Sequence, residues 1–208
     1  METKQLDRIS YALGLSMGNN FKSSGIETLD YSDFADGVKA VFAGEKPKMT
    51  YEEAKAEIQK FFGEMEQRQR EQAAAMGKVN AEAGEKFLGE NGAREGVHTT
   101  ASGLQYEVIE EGTGIQPKSG DDVTVHYTGR LIDGTVFDSS VERGAPATFG
   151  VTQVIPGWVE ALQMMKEGAK WRLFIPSALA YGPNGAGGVI GPNATLIFDV
   201  ELIKVISK

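Results

Sequence analysis

The sequence predicts an α+β fold, in which an all-helical first half precedes an antiparallel β-sheet wrapped around one short helix. Residues 1–96 carry apolar side chains at spacings of three and four, whereas residues 97–208 contain runs in which apolar and polar residues alternate. Glycine becomes frequent just before this change of pattern, which predicts a boundary near residue 96. We therefore expect a helical region (1–48), a long connecting helix with a linker (49–96) and a mainly β domain (97–208).

Two short helices are expected in residues 1–48. The apolar face of the first consists of Leu6, Ile9, Leu13, Met17 and Phe21. The second is expected to run from about Ser32 to Gly44, and its inward side chains are Phe34, Val38, Val41 and Phe42. Gly14 and Gly18, four residues apart, either admit a second helix closely or are incidental. Because two short helices offer too little core by themselves, we expect residues 1–48 to form a homodimer.

A third, long helix is expected in residues 49–96. Thr50 and Glu53 match a capping box, which marks its beginning. Its apolar stripe is interrupted by a polar stretch and resumes less regularly at Met76, Val79, Ala83 and Phe87. A helix that is polar on every side usually bridges solvent between domains, and a flexible charged linker is the alternative. Proline is absent from Thr50 to Gln116, which favours the helix.

Four strand-like runs are expected in residues 97–208. Their alternating apolar positions are Leu104, Tyr106 and Val108; Val123, Val125 and Tyr127; Trp171, Leu173 and Ile175; and Leu196, Phe198, Val200 and Leu202. Asp133-Gly134 predicts a tight turn between two strands. A single helix is expected from about Gly157, with Trp158 facing inward and Gly168 as its C-terminal cap.

Composition excludes several classes of function. A net charge of -8 argues against nucleic acid as a partner, and no stretch of about 18 apolar residues predicts a membrane span. There is no cysteine, and His98 and His126 are the only histidines, so we expect no metal site, no cofactor and no Ser-His nucleophile. The glycine-rich run 182–192 lacks the ending of a phosphate loop and predicts a loop over a pocket. Residues 1–7 lack the pattern of a signal peptide, which predicts a cytoplasmic protein, or a periplasmic one if a signal peptide has been removed.

Aromatic side chains from two strands and a helix are expected to converge around one acid. Tyr127 and Phe198 share the inward faces of their strands, and Trp158 opens the helix. Each of these rings alone could be ordinary core. Asp138, next to Phe137, favours a pocket instead, because a buried carboxylate requires partners such as the Tyr127 hydroxyl. Such a pocket suits the binding of an apolar side chain better than proton transfer.

Five motifs in order closely resemble the FK506-binding (FKBP) type of peptidyl-prolyl cis-trans isomerase. They are Val125-His126-Tyr127-Thr128-Gly129, Phe137-Asp138-Ser139-Ser140, Val154-Ile155-Pro156-Gly157-Trp158, Ala180-Tyr181-Gly182 and Phe198-Asp199-Val200-Glu201. The segment Ile9-Ser10-Tyr11-Ala12-Leu13-Gly14-Leu15-Ser16-Met17-Gly18 also resembles the N-terminal region of bacterial macrophage-infectivity-potentiator-like members. Those proteins dimerise through this region and carry the isomerase domain on a long helix. The resemblance implies an FKBP-like fold for residues 97–208.

The resemblance also implies a role for each matching residue. The catalytic set would be Tyr127, Phe137, Asp138, Ile155, Tyr181 and Phe198, and the substrate-binding set would be Phe149, Val154, Trp158 and Ile190. In this assignment Trp158 is the floor of the pocket and Asp138 faces the prolyl amide that twists. The Tyr181 hydroxyl and the Ile155 amide hydrogen-bond the substrate backbone. Ala147 stands where many eukaryotic members have an aromatic residue, which opens the pocket and bears on the binding of rapamycin or tacrolimus.

The implied function is the acceleration of X-Pro bond rotation in unfolded or partly folded polypeptides, with chaperone activity as a dimer. Desolvation and electrostatic stabilisation of a twisted amide would lower the barrier without a nucleophile or a cofactor. The alternative is a peptide-binding chaperone that is not a catalyst. A structural dimer with a vestigial pocket is a third hypothesis.

Overall fold

The computed structural model describes residues 6–207, which belong to two compact units, Met1–Gln69 and Arg70–Lys208. Helix α3 spans Tyr51–Gly92 and is continuous over 42 residues, so the predicted long helix is confirmed. The capping box is confirmed as well. The Glu53 N–H donates to the Thr50 hydroxyl at 3.2 Å, and the Thr50 N–H donates to the Glu53 carboxylate at 2.7 Å.

Two shorter helices precede α3, and capping residues fix their ends. Helix α1 spans Arg8–Ser23 and helix α2 spans Tyr31–Ala43. The side chains of Asp7 and Asp30 each accept two backbone N–H bonds from the first turn that follows them. Gly44 ends α2 in the left-handed conformation, which glycine adopts without a steric penalty.

The apolar faces of α1 and α2 are largely uncovered within the described chain. Neither helix has a buried residue, and Leu13 and Phe42 are 59% and 88% exposed. Phe21 and Phe34 are half-buried because their rings meet edge to face, with 5.5 Å between centroids. The expected inward orientation of the other apolar side chains is therefore wrong for a single chain.

The described part of Arg70–Lys208 contains a seven-stranded antiparallel sheet, which confirms the predicted fold class. Its strands are β1 (Val97–Thr99), β2 (Gln105–Glu110), β3 (Asp122–Leu131), β4 (Val136–Ser139), β5 (Ala147–Gly150), β6 (Lys170–Ile175) and β7 (Leu196–Ile206). The order across the sheet is β1-β2-β6-β7-β3-β4, and β5 also pairs with β3. The tight turn predicted at Asp133-Gly134 joins β3 to β4, and Gly134 has a positive φ of 90°.

Helix α4 spans Pro156–Leu162 and shares one hydrophobic core with the sheet. Pro156 occupies its first turn, where the missing N–H removes no hydrogen bond from the helix. The predicted C-terminal cap at Gly168 is wrong, because the helix ends before Gln163. The Gly168 N–H instead donates to the carbonyl of Leu202 at 2.8 Å, which ties that turn to β7.

The last turns of α3 pack through small and polar residues together with Phe87, whose ring centroid lies 6.0 Å from that of Phe174. Gly77, Gly84 and Asn91 are buried, whereas Met76 and Val79 of the predicted apolar stripe are 54% and 63% exposed. The stripe is therefore wrong at these two positions. Close approach explains the difference, since a glycine in a helix lets a neighbouring chain reach the helix backbone.

Replacing Gly84 with alanine should destabilise the protein, although alanine favours helices by about 1 kcal/mol. An added Cβ would lie 2.3 Å from the Thr195 hydroxyl oxygen, so Thr195 must move. Overpacking of this kind costs about 1–3 kcal/mol. The matched control is Gly89→Ala on the same helix, where no atom lies within 4 Å of the added Cβ and a gain in stability is expected. Urea unfolding measures both variants, and equal shifts would contradict close packing at Gly84.

Candidate active site

The floor of the site is Trp158, which lies in the first turn of α4 and is only 4% exposed. Three aromatic rings from the sheet meet it edge to face. The ring centroids of Tyr127 on β3 and Phe198 on β7 each lie 5.3 Å from that of Trp158, and the Phe149 centroid on β5 lies 6.1 Å away. Edge-to-face pairs of this kind stabilise by about 0.5–1.5 kcal/mol beyond burial. The floor and walls therefore form one packed aromatic cluster.

A glycine on β3 makes room for two of the walls. Gly129 pairs with Phe198 across the sheet, and a Cβ at Gly129 would lie 2.6 Å from the Phe198 ring and 2.7 Å from the Phe137 ring. The two rings themselves meet edge to face, with 5.5 Å between centroids. Any larger residue at this position would displace both rings.

These residues line an open cavity of about 410 Å³. It is lined by Tyr127, Phe137, Asp138, Phe149, Gln153, Val154, Ile155, Trp158, Tyr181 and Phe198. The structure thus brings together nine of the ten site residues expected from the sequence. Ile190 is not among the lining residues. Its side chain is buried in the hydrophobic core, and its backbone pairs with Ala186 across the β6–β7 connection.

The single acid of the cavity has two partners. The Tyr127 hydroxyl donates to one carboxylate oxygen of Asp138 at 2.5 Å, and the Arg143 guanidinium donates to the other. Arg143 also donates to the Tyr127 hydroxyl oxygen at 2.9 Å. The sequence pattern does not predict Arg143, because an arginine five residues after Asp138 looks like any surface arginine of a loop.

These contacts fix the charge of the site. Burial alone would raise the pKa of Asp138, but hydrogen bonds from Tyr127 and Arg143 outweigh it and hold that pKa below its usual value. Burial, together with the hydrogen bond to Asp138, raises the pKa of Tyr127 above its usual value, against the opposing effect of Arg143. Asp138 is therefore an anion and Tyr127 a neutral donor at neutral pH.

Several polar groups of the site remain available to a ligand. Within the described residues, the Ile155 N–H and the Tyr181 hydroxyl donate no hydrogen bond to the protein. The indole N–H of Trp158 is buried without a partner in the same part of the chain. Gln153, an exposed residue just before Val154, adds an amide to the lining that the sequence pattern does not predict. The cavity thus combines aromatic and aliphatic walls with one anion and with the free donors of Ile155 and Tyr181.

Family models and relatives match both halves of the chain. A model described as FKBP-type peptidyl-prolyl cis-trans isomerase matches residues 113–203, and one described as the domain amino terminal to it matches residues 6–108. A protein of Neisseria meningitidis serogroup B named probable FKBP-type peptidyl-prolyl cis-trans isomerase FkpA is 49% identical over 203 residues, which cover 96% of this chain and 74% of that protein. This chain belongs to the FKBP-type peptidyl-prolyl cis-trans isomerases.

Other FKBP-type relatives match over the whole length. The FKBP-type 22 kDa peptidyl-prolyl cis-trans isomerase of Escherichia coli K12 is 44% identical, with 99% of this chain and 100% of that protein covered. The crystal structure of FkpA from Escherichia coli superposes with a TM-score of 0.72 at 38% identity, covering 98% of each chain.

The name of one relative concerns the cellular location of that protein. A Legionella longbeachae relative, 44% identical over 98% of this chain and 87% of its own length, is named outer membrane protein MIP. That name gives no support to the cytoplasmic location expected from the sequence. Within residues 6–207, no helix combines the length and apolar character needed to cross a bilayer.

The charge state of this FKBP-type site should not change between about pH 6 and pH 9. The pKa of Asp138 is lowered, so its ion pair is lost only as the pH falls through that lowered value, and the raised pKa of Tyr127 keeps its hydroxyl protonated. Turnover of a proline tetrapeptide is expected to stay within about twofold over this range. A bell-shaped profile centred near pH 7 would contradict the assignment.

Proposed function

We propose that the cavity binds a prolyl residue and accelerates rotation about the X-Pro bond that precedes it. The observation that carries this proposal is the aromatic enclosure around Trp158, which holds a single anion at its edge. A volume of about 410 Å³ accommodates a pyrrolidine ring with parts of the flanking residues. Family membership supports the same activity.

Desolvation is the main source of the proposed rate enhancement. Rotation passes through a twisted amide about 18–20 kcal/mol above the ground state. Twisting breaks the amide resonance, so that the nitrogen becomes pyramidal and the carbonyl less polar. An apolar cavity disfavours the polar planar amide more than the twisted one, which lowers the barrier. Each 1.4 kcal/mol gained only in the transition state gives about a tenfold rate increase.

Polar groups at the rim would orient the substrate. In the proposed assignment Asp138 acts through its charge and by orienting Tyr127, and it accepts no proton because its pKa is lowered. The Ile155 N–H and the Tyr181 hydroxyl are free to hydrogen-bond the substrate backbone. Val154 and the rings around Trp158 contact the proline, whereas Ile190 is left out of this set because it does not line the cavity.

The uncovered helices support dimerisation through residues 1–48. The apolar face of α1 carries Ile9 and Leu13, which are 68% and 59% exposed, and an exposed apolar face is typical of a surface that associates with another protein. Gly14 and Gly18 have no atom within 4 Å of an added Cβ, so a helix of a second copy could approach closely. We take residues 49–96 as the connecting segment and residues 97–208 as the isomerase domain.

A dimer with two cavities would also serve as a chaperone. Two weak sites joined in one particle bind an unfolded chain more tightly than either site alone. The specific observation behind this second candidate function is again the exposed apolar surface of α1 and α2. Proline-containing unfolded or partly folded polypeptides are the expected clients in both cases.

Replacing Asp138 with alanine should lower kcat/KM for a proline tetrapeptide by about tenfold or more, because the anion beside the amide and the partner of Tyr127 are lost together. Phe137→Tyr should lower it as well, since a hydroxyl would enter an apolar wall. The matched control is Glu111→Ala, which removes the same charge from an exposed position. A protease-free isomerisation assay measures turnover, and circular dichroism checks the fold.

Unchanged turnover in both site variants would refute the assignment of the site. The same assay with rapamycin tests the identity of the cavity, since rapamycin or tacrolimus should compete with the peptide there. Ala147 adds no aromatic wall at the start of β5, so rapamycin is titrated against the wild type up to saturation. Turnover that persists at saturating rapamycin would refute the identity of the cavity.

Deletion of residues 1–48 should convert a dimer into a monomer and leave tetrapeptide turnover within about twofold. The shortened chain would begin at Met49 and keep the capping box of Thr50 and Glu53. Refolding of a proline-limited protein is expected to slow, because the second cavity is lost. Sedimentation equilibrium and a refolding assay measure the two effects. A dimer that persists would refute the dimerisation region, and undiminished refolding would refute the chaperone role.

A further inference from the structure

Two hydrogen bonds from asparagine side chains, one in each direction, join the end of the β6–β7 connection to α3. The side-chain N–H₂ of Asn80 donates to the carbonyl of Pro192 at 2.9 Å, and the side-chain N–H₂ of Asn193 donates to the carbonyl of Gly77 at 3.2 Å. Gly77 and Asn80 are three residues apart and therefore lie on one face of the helix. The residues joined by the first hydrogen bond are 112 positions apart in the sequence, and those joined by the second are 116 positions apart.

Glycines on both sides make this contact possible. A Cβ at Gly77 would lie 3.2 Å from the Pro192 Cβ, and one at Gly191 would lie 2.9 Å from the Asn80 side-chain nitrogen. The helix and the connection thus approach more closely than larger residues would permit. A helix-weakening glycine at this position has a packing reason.

Asn193 links the helix to the rim of the cavity. Among the described residues it is the only one other than glycine with a positive φ, at 54°, which asparagine tolerates better than most residues. Its backbone N–H donates to the carbonyl of Gly182 at 2.8 Å, and Gly182 directly follows Tyr181. A short path therefore leads from the Gly77 carbonyl through Asn193 to the residue beside Tyr181.

Tyr181 depends on such support. It is 41% exposed, and no described residue accepts a hydrogen bond from its hydroxyl, so the position of its ring follows the backbone that carries it. We propose that Asn80 and Asn193 are positioning residues that hold Tyr181 at the rim, which makes the last turns of α3 a part of the substrate site. The proposal rests on the function proposed above for the Tyr181 hydroxyl as a donor to the substrate backbone.

Two variants of the full chain test this role. Asn80→Ala removes the bond to Pro192. Asn193→Gly removes the bond to Gly77 and leaves the positive φ accessible, because glycine adopts it freely. The matched control is Gln72→Ala, which removes an exposed amide from the same helix. Hydrogen exchange of the backbone amide at position 193 reports on the contact, and KM and kcat for a proline tetrapeptide report on Tyr181.

Both variants should exchange the amide at position 193 about tenfold faster than the wild type, since a lost hydrogen bond opens the connection more often. KM is expected to rise about threefold or more while kcat stays within about twofold, because substrate positioning is lost and the cavity is intact. Gln72→Ala should match the wild type in both measurements. Tyr181→Phe should raise KM to a similar extent, and adding Asn80→Ala to it should have little further effect.

The outcomes separate this proposal from the proposed function. Unchanged exchange at position 193 in both variants would overturn the contact between α3 and the connection. Faster exchange with an unchanged KM, or with a fall in kcat alone, would overturn its effect on Tyr181. A wild type without isomerase activity would refute the proposed function and, with it, the role of Tyr181, whereas faster exchange in the variants would still support the contact itself.

Discussion

The antiparallel pairing of β3 with β7 determines where the aromatic rings meet. Its register places Gly129 opposite Phe198 and Tyr127 opposite Val200. Because side chains alternate between the faces of a sheet, a slip by one residue would move Tyr127 or Phe198 away from Trp158. The same strand also pairs with β5 and β4, which brings Phe149 opposite Val123 and Asp138 opposite Gly129. One strand therefore positions most of the cavity, and α4 closes it from below.

Electrostatics in the cavity depends on this geometry. Partial burial disfavours a carboxylate, yet Asp138 remains charged because Tyr127 and Arg143 both donate to it. Tyr127 has a double role, since its ring packs against Trp158 while its hydroxyl fixes Asp138. The apolar walls and the anion are thus parts of one contact network. Under the function proposed above, a charge held in this way would act on a twisting amide at constant protonation.

Sequence patterns predict the site residues that lie on regular strands. They do not predict the residues that irregular loops bring to the site. Alternation places Tyr127 and Phe198 inward, and the structure buries both. Arg143 reaches Asp138 because of the turns between β4 and β5, and turns have no hydrophobic periodicity that a sequence pattern could show. The short strands β1 and β5 are too brief to show alternation. In α1 the period is correct, but one chain's sequence does not show what its apolar face packs against.

The end of α3 shows that the change from a helical to a strand-like sequence pattern does not coincide with the boundary of a compact unit. The helical pattern stops near residue 96, whereas the compact unit begins at Arg70. Gln105 on β2 is buried, and its side chain accepts from Asn91 at 2.8 Å and donates to the Leu88 carbonyl at 2.9 Å. Cutting the chain after these helix residues would leave a buried amide without partners, which costs about 1–3 kcal/mol. Because glycine and asparagine residues form much of this contact, beside the Phe87 ring that meets Phe174, hydrophobic periodicity does not reveal that the end of α3 belongs to the same compact unit as the sheet.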